Sequence, residues 1–456
     1  MATPQRIAVI DIGKTNAKVV LFDAGAGRET QQHSFRNTPA PAPYSHFDTD
    51  ALWSFIRHAL SEIGRNGGMD AISITTHGAC FALLDGAGEL AMPVMDYEDP
   101  SPDSLDGAYR ALRPPFAETG SPRLPMGLNA GAMLHWQAKT HPEDFRRVRH
   151  ILPWPQYWAY RLTGVIANEL TSLGVHTDLW NPHQSRFSSL VADLGWERLM
   201  PEIRPASAVL GAVRPALAAE LGLPAGIPVH SGIHDSNASL LPHLLTRRAP
   251  FCVMSTGTWV VTLAVGGREM ALDEERDTLF NVNALGAKTP SSRFMGGRAF
   301  EMLVPGGLVQ ISPEERRRVL SDGVMLLPSV PAGSGPFPHV AGRWMAEPQT
   351  PGERLFAVSL HLALMAGVSR ELIGAEGDTI VEGPFAGNAD FISMLATLTG
   401  RQPIVSEGRK TGTSFGAACL ALGPAGIALQ PDHSPAAEPD PQLAAYAARW
   451  RALAGP

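Results

Sequence analysis

Two stretches half a chain apart share one syntax, and that repeat constrains the fold more than any other feature. RIAVIDIGKTNAKVVLFD (residues 6–23) and FCVMSTGTWVVTLAV (residues 251–265) each read as an apolar strand, a glycine-bearing turn and an apolar return strand. A repeat at this spacing predicts two domains of like topology. A chain of 456 residues is also too long for one hydrophobic core. Two such hairpins, one per domain, would present backbone N–H groups and hydroxyls to an anion from both sides of a cleft. The first turn holds Gly13-Lys14-Thr15, the closing tripeptide of a phosphate-binding P-loop. A P-loop needs a glycine five residues earlier and a helix directly after it. Position 8 is Ala8, and Lys18 to Phe22 reads as a strand, so this is not a P-loop.

Other elements follow from periodicity. Residues 50–63 carry Leu52, Phe55, Ile56, Ala59, Leu60 and Ile63 at helical spacing, with Gly64 as a stop. Residues 71–75 and 81–84 read as strands around Thr76-His77-Gly78, and an aromatic-rich helix runs from near Trp154 to Gly164. Residues 379–381 form a strand entering a Gly-Pro turn and an amphipathic helix with Phe391, Ile392, Leu395 and Leu398. A Pro- and Ala-rich connector (431–441) leads to a last short helix with Leu443, Tyr446, Trp450 and Leu453.

Composition narrows the class. The net charge of −7 gives no electrostatic reason to bind nucleic acid or an anionic membrane. No signal-peptide core and no apolar run near eighteen residues is evident, which predicts a soluble cytoplasmic protein. Cys80, Cys252 and Cys419 are far apart and form no CxxC pair, which argues against a disulfide framework or thiolate zinc. Oligomeric state is not fixed by the sequence, and a homodimer is compatible with it.

The ordered set Asp11-x-Gly13-x-Thr15-Asn16-x-Lys18, His77-Gly78, Gly232-x-His234-Asp235, Thr256-Gly257-Thr258, and Gly383…Asn388 with Gly412-Thr413-Ser414-x-Gly416-Ala417-Ala418 resembles the FGGY carbohydrate kinases. HPEDFRRVRHILPWPQYWAYRLTG (141–164) also looks like that family's N-terminal domain, and STGTW (255–259) is similar to its rhamnulokinase and fuculokinase branch. The resemblance implies an α/β chain with the two-domain actin/hexokinase/Hsp70-like (ribonuclease H-like) fold and a central cleft. It implies a sugar-binding domain over residues 1–245, an ATP-binding domain over 246–430, and a connector with a terminal helix over 431–456. Two positions depart from the family. Lys14 stands where Thr or Ser is usual, and Met133 replaces a lysine often found three residues before the tryptophan equivalent to Trp136.

The resemblance also distributes roles. Phosphoryl transfer to an alcohol needs the hydroxyl in line with the γ-phosphate and an acceptor for its proton. Asp235, between a strand ending at His230 and a following helix, is the candidate base; as a bare residue it reads equally well as a helix N-cap. Asp11 at the first strand end is the candidate ligand of a Mg²⁺ ion on the nucleotide phosphates, or else an Asx-turn residue. ATP is assigned to Gly13, Lys14, Thr15, Asn16, Lys18, Thr256, Gly257, Thr258, Gly383, Asn388, Gly412 and Ser414, with Lys14 alternatively pointing to solvent. The sugar is assigned to His77, Gly78, Asp96, His234 and Asp235, with a solvated acidic loop (Asp96, Glu98, Asp99) as the competing account of Asp96. Gly416-Ala417-Ala418 reads as close packing against the nucleotide or ordinary tight helix packing.

The function expected is ATP-dependent phosphorylation of a ketose at C1, L-rhamnulose or L-fuculose first and xylulose next. Competing readings are a polyol or sugar-acid kinase and a non-catalytic, nucleotide-gated protein of the actin/Hsp70 kind. Gly412-Thr413-Ser414-Phe415-Gly416 with Asp432 and His433 mimics a hydrolase, but a polar run rather than a strand leads into Ser414.

Overall fold

The computed structural model describes residues 4–406, 412–427 and 435–455. The chain forms two compact units, one comprising Met1–Thr246, Phe280–Lys288 and Lys410–Gln430, the other Arg247–Leu279, Thr289–Arg409 and Pro431–Pro456.

The first unit is built on strands β1 (Arg6–Ile12), β2 (Asn16–Asp23), β3 (Arg28–Arg36), β4 (Ala71–Thr76), β5 (Val209–Ala212), β6 (Pro228–His230) and β7 (Ile233–His234). Their order is β3-β2-β1-β4-β6-β5, with β7 also on β4. β1 is antiparallel to β2 and parallel to β4, and nearly all of it is buried. A central strand covered on both faces must be apolar throughout, which is what Ile7-Ala8-Val9-Ile10 supplies. Its side chains alternate between two cores, as pleating requires. Ala8, Ile10 and Ile12 join the helices Thr49–Arg65 and Trp154–Thr163 through Leu52, Ile56, Leu60, Trp154 and Trp158. Ile7 and Val9 join the helices Asp235–Thr246 and Thr413–Leu422 through Ala238, Leu241, Ala417 and Ala418. Each such aliphatic side chain contributes roughly 1.5–3 kcal/mol by leaving water.

The register of the parallel strands matters most for chemistry. Asp11 lies opposite Thr75 and Ile12 opposite Thr76, while Ile233 and His234 pair with the same Thr75 and Thr76. The strands therefore end in one row, and the next residues are Gly13, His77 and Asp235.

The second unit repeats the plan with β8 (Phe251–Thr256), β9 (Val260–Val265), β10 (Lys288–Phe294), β11 (Asp378–Glu382) and β12 (Ile404–Val405), in the order β10-β9-β8-β11-β12. β8 is antiparallel to β9 and parallel to β11, and β11 is parallel to β12. The half-chain repeat of the sequence is thus a repeat of topology.

Several expectations need adjusting. The helix Thr413–Leu422, placed with residues 246–430 by the sequence, lies in the first unit. Its small residues explain this: a Cβ on Gly416 would sit 1.7 Å from the carbonyl oxygen of Ala238, so only glycine permits the approach. Residues 416–418 thus serve helix packing. The strand Phe81–Leu84, read as such from the sequence, pairs with His150–Pro153. The 22-residue helix Pro351–Leu372 is long and apolar enough to cross a membrane, which overturns the reading that no such run exists. Ser359 and His361 interrupt its apolar sequence, and it is the buried core helix of the second unit. Beside it the terminal helix Pro441–Ala454 buries Trp450, whose Nε1 donates to the carbonyl of Leu326 (2.7 Å). Part of the expected connector, 431–434, lies outside the described residues, including Asp432 and His433 of the hydrolase mimic.

Candidate active site

Asp235 opens a helix but does not cap it. An N-cap carboxylate accepts from the amides two or three residues on. Here Oδ1 accepts instead from Ser236 N (2.6 Å), Ser236 Oγ (3.3 Å) and His234 Nε2 (3.1 Å). Oδ2 has no partner among the described residues, so one oxygen is anchored and the other is open. His234 is buried, and burial holds its imidazole below the ordinary histidine range. The neutral ring then donates from Nε2 to the carboxylate. Gly78 makes room for this ring, since a Cβ there would lie 2.7 Å from His234 Nε2.

The strand that carries His234 is fixed from below. His234 N donates to Thr171 Oγ1 (3.0 Å), and Thr171 Oγ1 donates to Glu169 Oε2 (2.5 Å). Burial pushes Glu169 up to about 7 against the hydrogen bonds it accepts from Thr171 and Ser172. The folded protein therefore keeps this proton to about pH 7, whereas the unfolded chain releases it near the ordinary value of 4.5. The associated stability is present below the unfolded value and is lost as pH rises through the folded one. Glu169→Gln mimics the protonated form. Between pH 5 and pH 7 the variant should gain about 2 kcal/mol relative to wild type in urea unfolding, the buried histidines being common to both. Parallel pH profiles for the two proteins would refute the assignment.

His77 is buried and likewise held below its ordinary value by desolvation. Its Nδ1 donates to the Gly78 carbonyl (3.1 Å), which leaves Nε2 an unprotonated acceptor, buried and without a partner among the described residues. Phe47 (5.1 Å) and Tyr97 (5.3 Å) flank the ring. Asp96 and Asp99 are buried, which sets aside the solvated-loop reading; Glu98 alone is exposed. Lys14 does not point to solvent: its Nζ lies 2.9 Å from Asp96 Oδ2 and 3.1 Å from Glu98 Oε2. Burial lowers the lysine's proton affinity, but those carboxylates more than offset it and the ammonium is held charged.

Asp11 is buried at the end of β1. Its Oδ2 accepts from Thr413 Oγ1 (2.5 Å) and lies 3.4 Å from Lys18 Nζ and 3.5 Å from Ser414 Oγ. Burial raises its proton affinity, and the nearby Asp235 charge adds to this. Gly412 and Ser414, assigned to ATP by the resemblance, stand at the start of the helix Thr413–Leu422, with Ser414 beside Asp11.

Each unit offers one open turn. In the first, Asn37 takes the carbonyls of Gly13 (3.0 Å) and Thr15 (2.9 Å), and Gly13 N closes on Asn16 O (3.0 Å). The exposed Thr15 keeps its N–H and hydroxyl without partners among the described residues. In the second, Gly257 N closes on Trp259 O (2.9 Å) and Arg298 N donates to Thr258 O (3.3 Å). The N–H and hydroxyl of the exposed Thr258 are again without partners among the described residues. Turns whose carbonyls are occupied and whose donors are open suit an anion. Thr256 is spent internally: it donates to Glu382 O (2.6 Å) and accepts from Phe385 N (3.0 Å). Gly383 lies against it at a φ of +85°, where a Cβ would meet Thr256 O at 2.0 Å. Asn388 caps the helix Ala389–Thr399 and donates to Ser359 Oγ (2.9 Å), a structural use of a residue assigned to ATP.

The model of the FGGY family of carbohydrate kinases, N-terminal domain, matches residues 6–242, and that of the carbohydrate kinase FGGY, C-terminal domain, matches 248–431. The chain belongs to the FGGY family of carbohydrate kinases. L-fuculokinase of Salmonella typhi is 28% identical over 276 residues, 58% of this chain and 57% of its own length. Rhamnulokinase of Halalkalibacterium halodurans is 25% identical over 262 residues, 55% and 54% of the two chains. The match thus spans little more than half of these curated relatives. The crystal structure of a carbohydrate kinase from Novosphingobium aromaticivorans aligns with a TM-score of 0.88 at 35% identity, over 100% of this chain and 99% of that one. The fold is the actin/hexokinase-like α/β fold of FGGY kinases.

The structure adds contacts that the sequence did not signal. Glu169, Thr171, Ser45, Tyr97 and Thr413 were not singled out for the roles they play, because none sits in a local pattern distinct from an ordinary loop or helix start. Met133 is fully buried in an apolar cluster with Met95 and Trp136, so the lysine usual in the family has no place there. FGGY kinases use ATP as phosphate donor. Among the described residues no three His, Cys, Asp or Glu side chains converge as a metal cage. Mg²⁺ needs no such cage, since it is bound through one or two carboxylates together with waters and phosphate oxygens. A buried Asp11, whose Oδ1 has no partner among the described residues and which has Asp235 nearby, fits that requirement.

Proposed function

We propose that the protein is a soluble, cytoplasmic, ATP- and Mg²⁺-dependent kinase that phosphorylates the C1 hydroxyl of a ketose such as L-rhamnulose or L-fuculose. One observation carries the reading: Asp235 presents an open Oδ2 in the row of strand ends that also presents Asp11 and the unpaired acceptor His77 Nε2. Asp235 Oδ2 takes the hydroxyl proton, the freed oxygen attacks the γ-phosphorus of ATP, and ADP leaves. Ser236 and His234 keep the carboxylate from rotating, so the base is positioned before substrate arrives. His77 accepts from a neighbouring sugar hydroxyl. Within each unit taken by itself, the open turn, at Thr15 in the first and at Thr258 in the second, is a candidate phosphate contact, and Asp11 would hold Mg²⁺, which when bound neutralises phosphate charge.

The test is ADP release measured with L-rhamnulose, L-fuculose, D-xylulose, gluconate and glycerol. Saturable, ketose-dependent ADP formation is expected. Sugar-independent hydrolysis would replace the kinase reading with a nucleotide-gated one, and gluconate or glycerol as best acceptor would replace the ketose.

A further inference from the structure

Lys14 occupies a position where FGGY kinases usually carry a small hydroxyl residue, and its surroundings give it a task. Its ammonium lies over the rings of Phe47 (5.7 Å) and Tyr97 (5.8 Å), the same rings that flank His77. An ammonium has three donors. Two are taken by Asp96 and Glu98, and the third has no partner among the described residues. Asp96 is largely engaged: Oδ2 accepts from Ser45 Oγ (3.1 Å) as well as from Lys14, and Oδ1 accepts from Glu98 N (3.1 Å). The oxygen of Asp96 that meets Lys14 is thus also held by Ser45, and it fixes the ammonium in place. Beside the two rings, one cationic N–H of Lys14 and one buried acceptor, His77 Nε2, are without partners among the described residues.

We propose that Lys14 is a specificity-determining residue for the sugar rather than a phosphate ligand: its free N–H donates to a substrate hydroxyl while His77 Nε2 accepts from that hydroxyl or its neighbour. The inference rests on the kinase reading above. It also names what is excluded. Two carboxylates already share this one ammonium, and Asp235 adds a third negative group, so a sugar acid would bring its charge against an anionic surround. An uncharged polyhydroxy ketose meets no such opposition.

The experiment compares wild type with Lys14→Thr in steady-state kinetics, varying ketose and MgATP separately. Loss of a charge-assisted hydrogen bond should raise KM for the ketose about 10- to 100-fold, while kcat and KM for MgATP stay within about threefold. Asp96→Asn should raise the same KM, and the double variant should be no worse than the poorer single one, since both act on one contact. Wild type should favour the ketose over gluconate by at least about 100-fold in kcat/KM. A raised KM for MgATP with the ketose KM unchanged would return Lys14 to the phosphates, and no change in any parameter would remove it from the site. Equal use of gluconate and ketose by wild type would overturn the exclusion of acids. Should Lys14→Thr lose its thermal transition, Lys14→Met, which keeps a stem over the two rings, is read in its place. A wild type inactive on every acceptor ends the kinase reading and this inference with it, whereas an active wild type with an indifferent Lys14→Thr ends the inference alone.

Discussion

Asp235→Asn should fold as wild type does and lose kcat by a factor on the order of 10²–10⁴, the contribution of a positioned general base. The amide keeps an acceptor oxygen for Ser236 N and His234 Nε2, so the local hydrogen bonds survive. What disappears is the open carboxylate oxygen. If Asp235 is the proton acceptor, the loss should fall on kcat, with KM for sugar and ATP changing little. Thermal unfolding and ADP release on the same preparation decide it. A kcat within a few-fold of wild type would remove Asp235 from the chemistry, and a large fall in the unfolding temperature would reassign it to the scaffold.

The second large effect is on stability. Gly416→Val should destabilise the first unit by about 3 kcal/mol or more, at or beyond the upper range for overpacking. The Cβ would lie 1.7 Å from Ala238 O and 2.4 Å from Ala238 C, which are backbone atoms of a packed helix and cannot rotate aside. For a unit of this size that corresponds to a fall of roughly 6–12 °C in Tm. Gly412→Ala, at the start of the same helix, meets nothing within 4 Å and should cost no more than about 1 kcal/mol. Equal behaviour of the two variants in a thermal melt would show that the close approach at Gly416 is not what holds the helix.

Strong local signals made the sheets legible in advance. The runs Ile7–Ile10 and Val253–Met254 are apolar on both faces, as central strands must be, and the glycine turns fixed both hairpins. Asp235 and His77 were picked out through the family resemblance, and the short strand Ile233–His234 that sets Asp235 beside the end of β4 was not read from the sequence. Contacts made across long separations were not legible either. Lys14 finds Asp96 at a separation of 82 residues, and Thr413 finds Asp11 at 402. No periodicity carries such pairings. Asn388 illustrates the opposite hazard: a motif residue whose oxygen accepts from the amides of Asp390 and Phe391 is occupied by its own helix. Glu169 was missed because NELTSL reads as a plain loop until burial alters its chemistry.

The path of the chain has a consequence for how such a protein can be inherited. The backbone passes from one unit to the other five times. A recombination break near residue 246 would part β1 from the distant helix that covers it, baring Ile7 and Val9 and stripping Asp11 of the Thr413 hydroxyl. Neither half is a cassette that evolution can swap at a single joint. A new lobe would have to arrive together with its far-off helix, so changes of substrate are expected to come by substitutions around residues 14, 77 and 96 and not by shuffling.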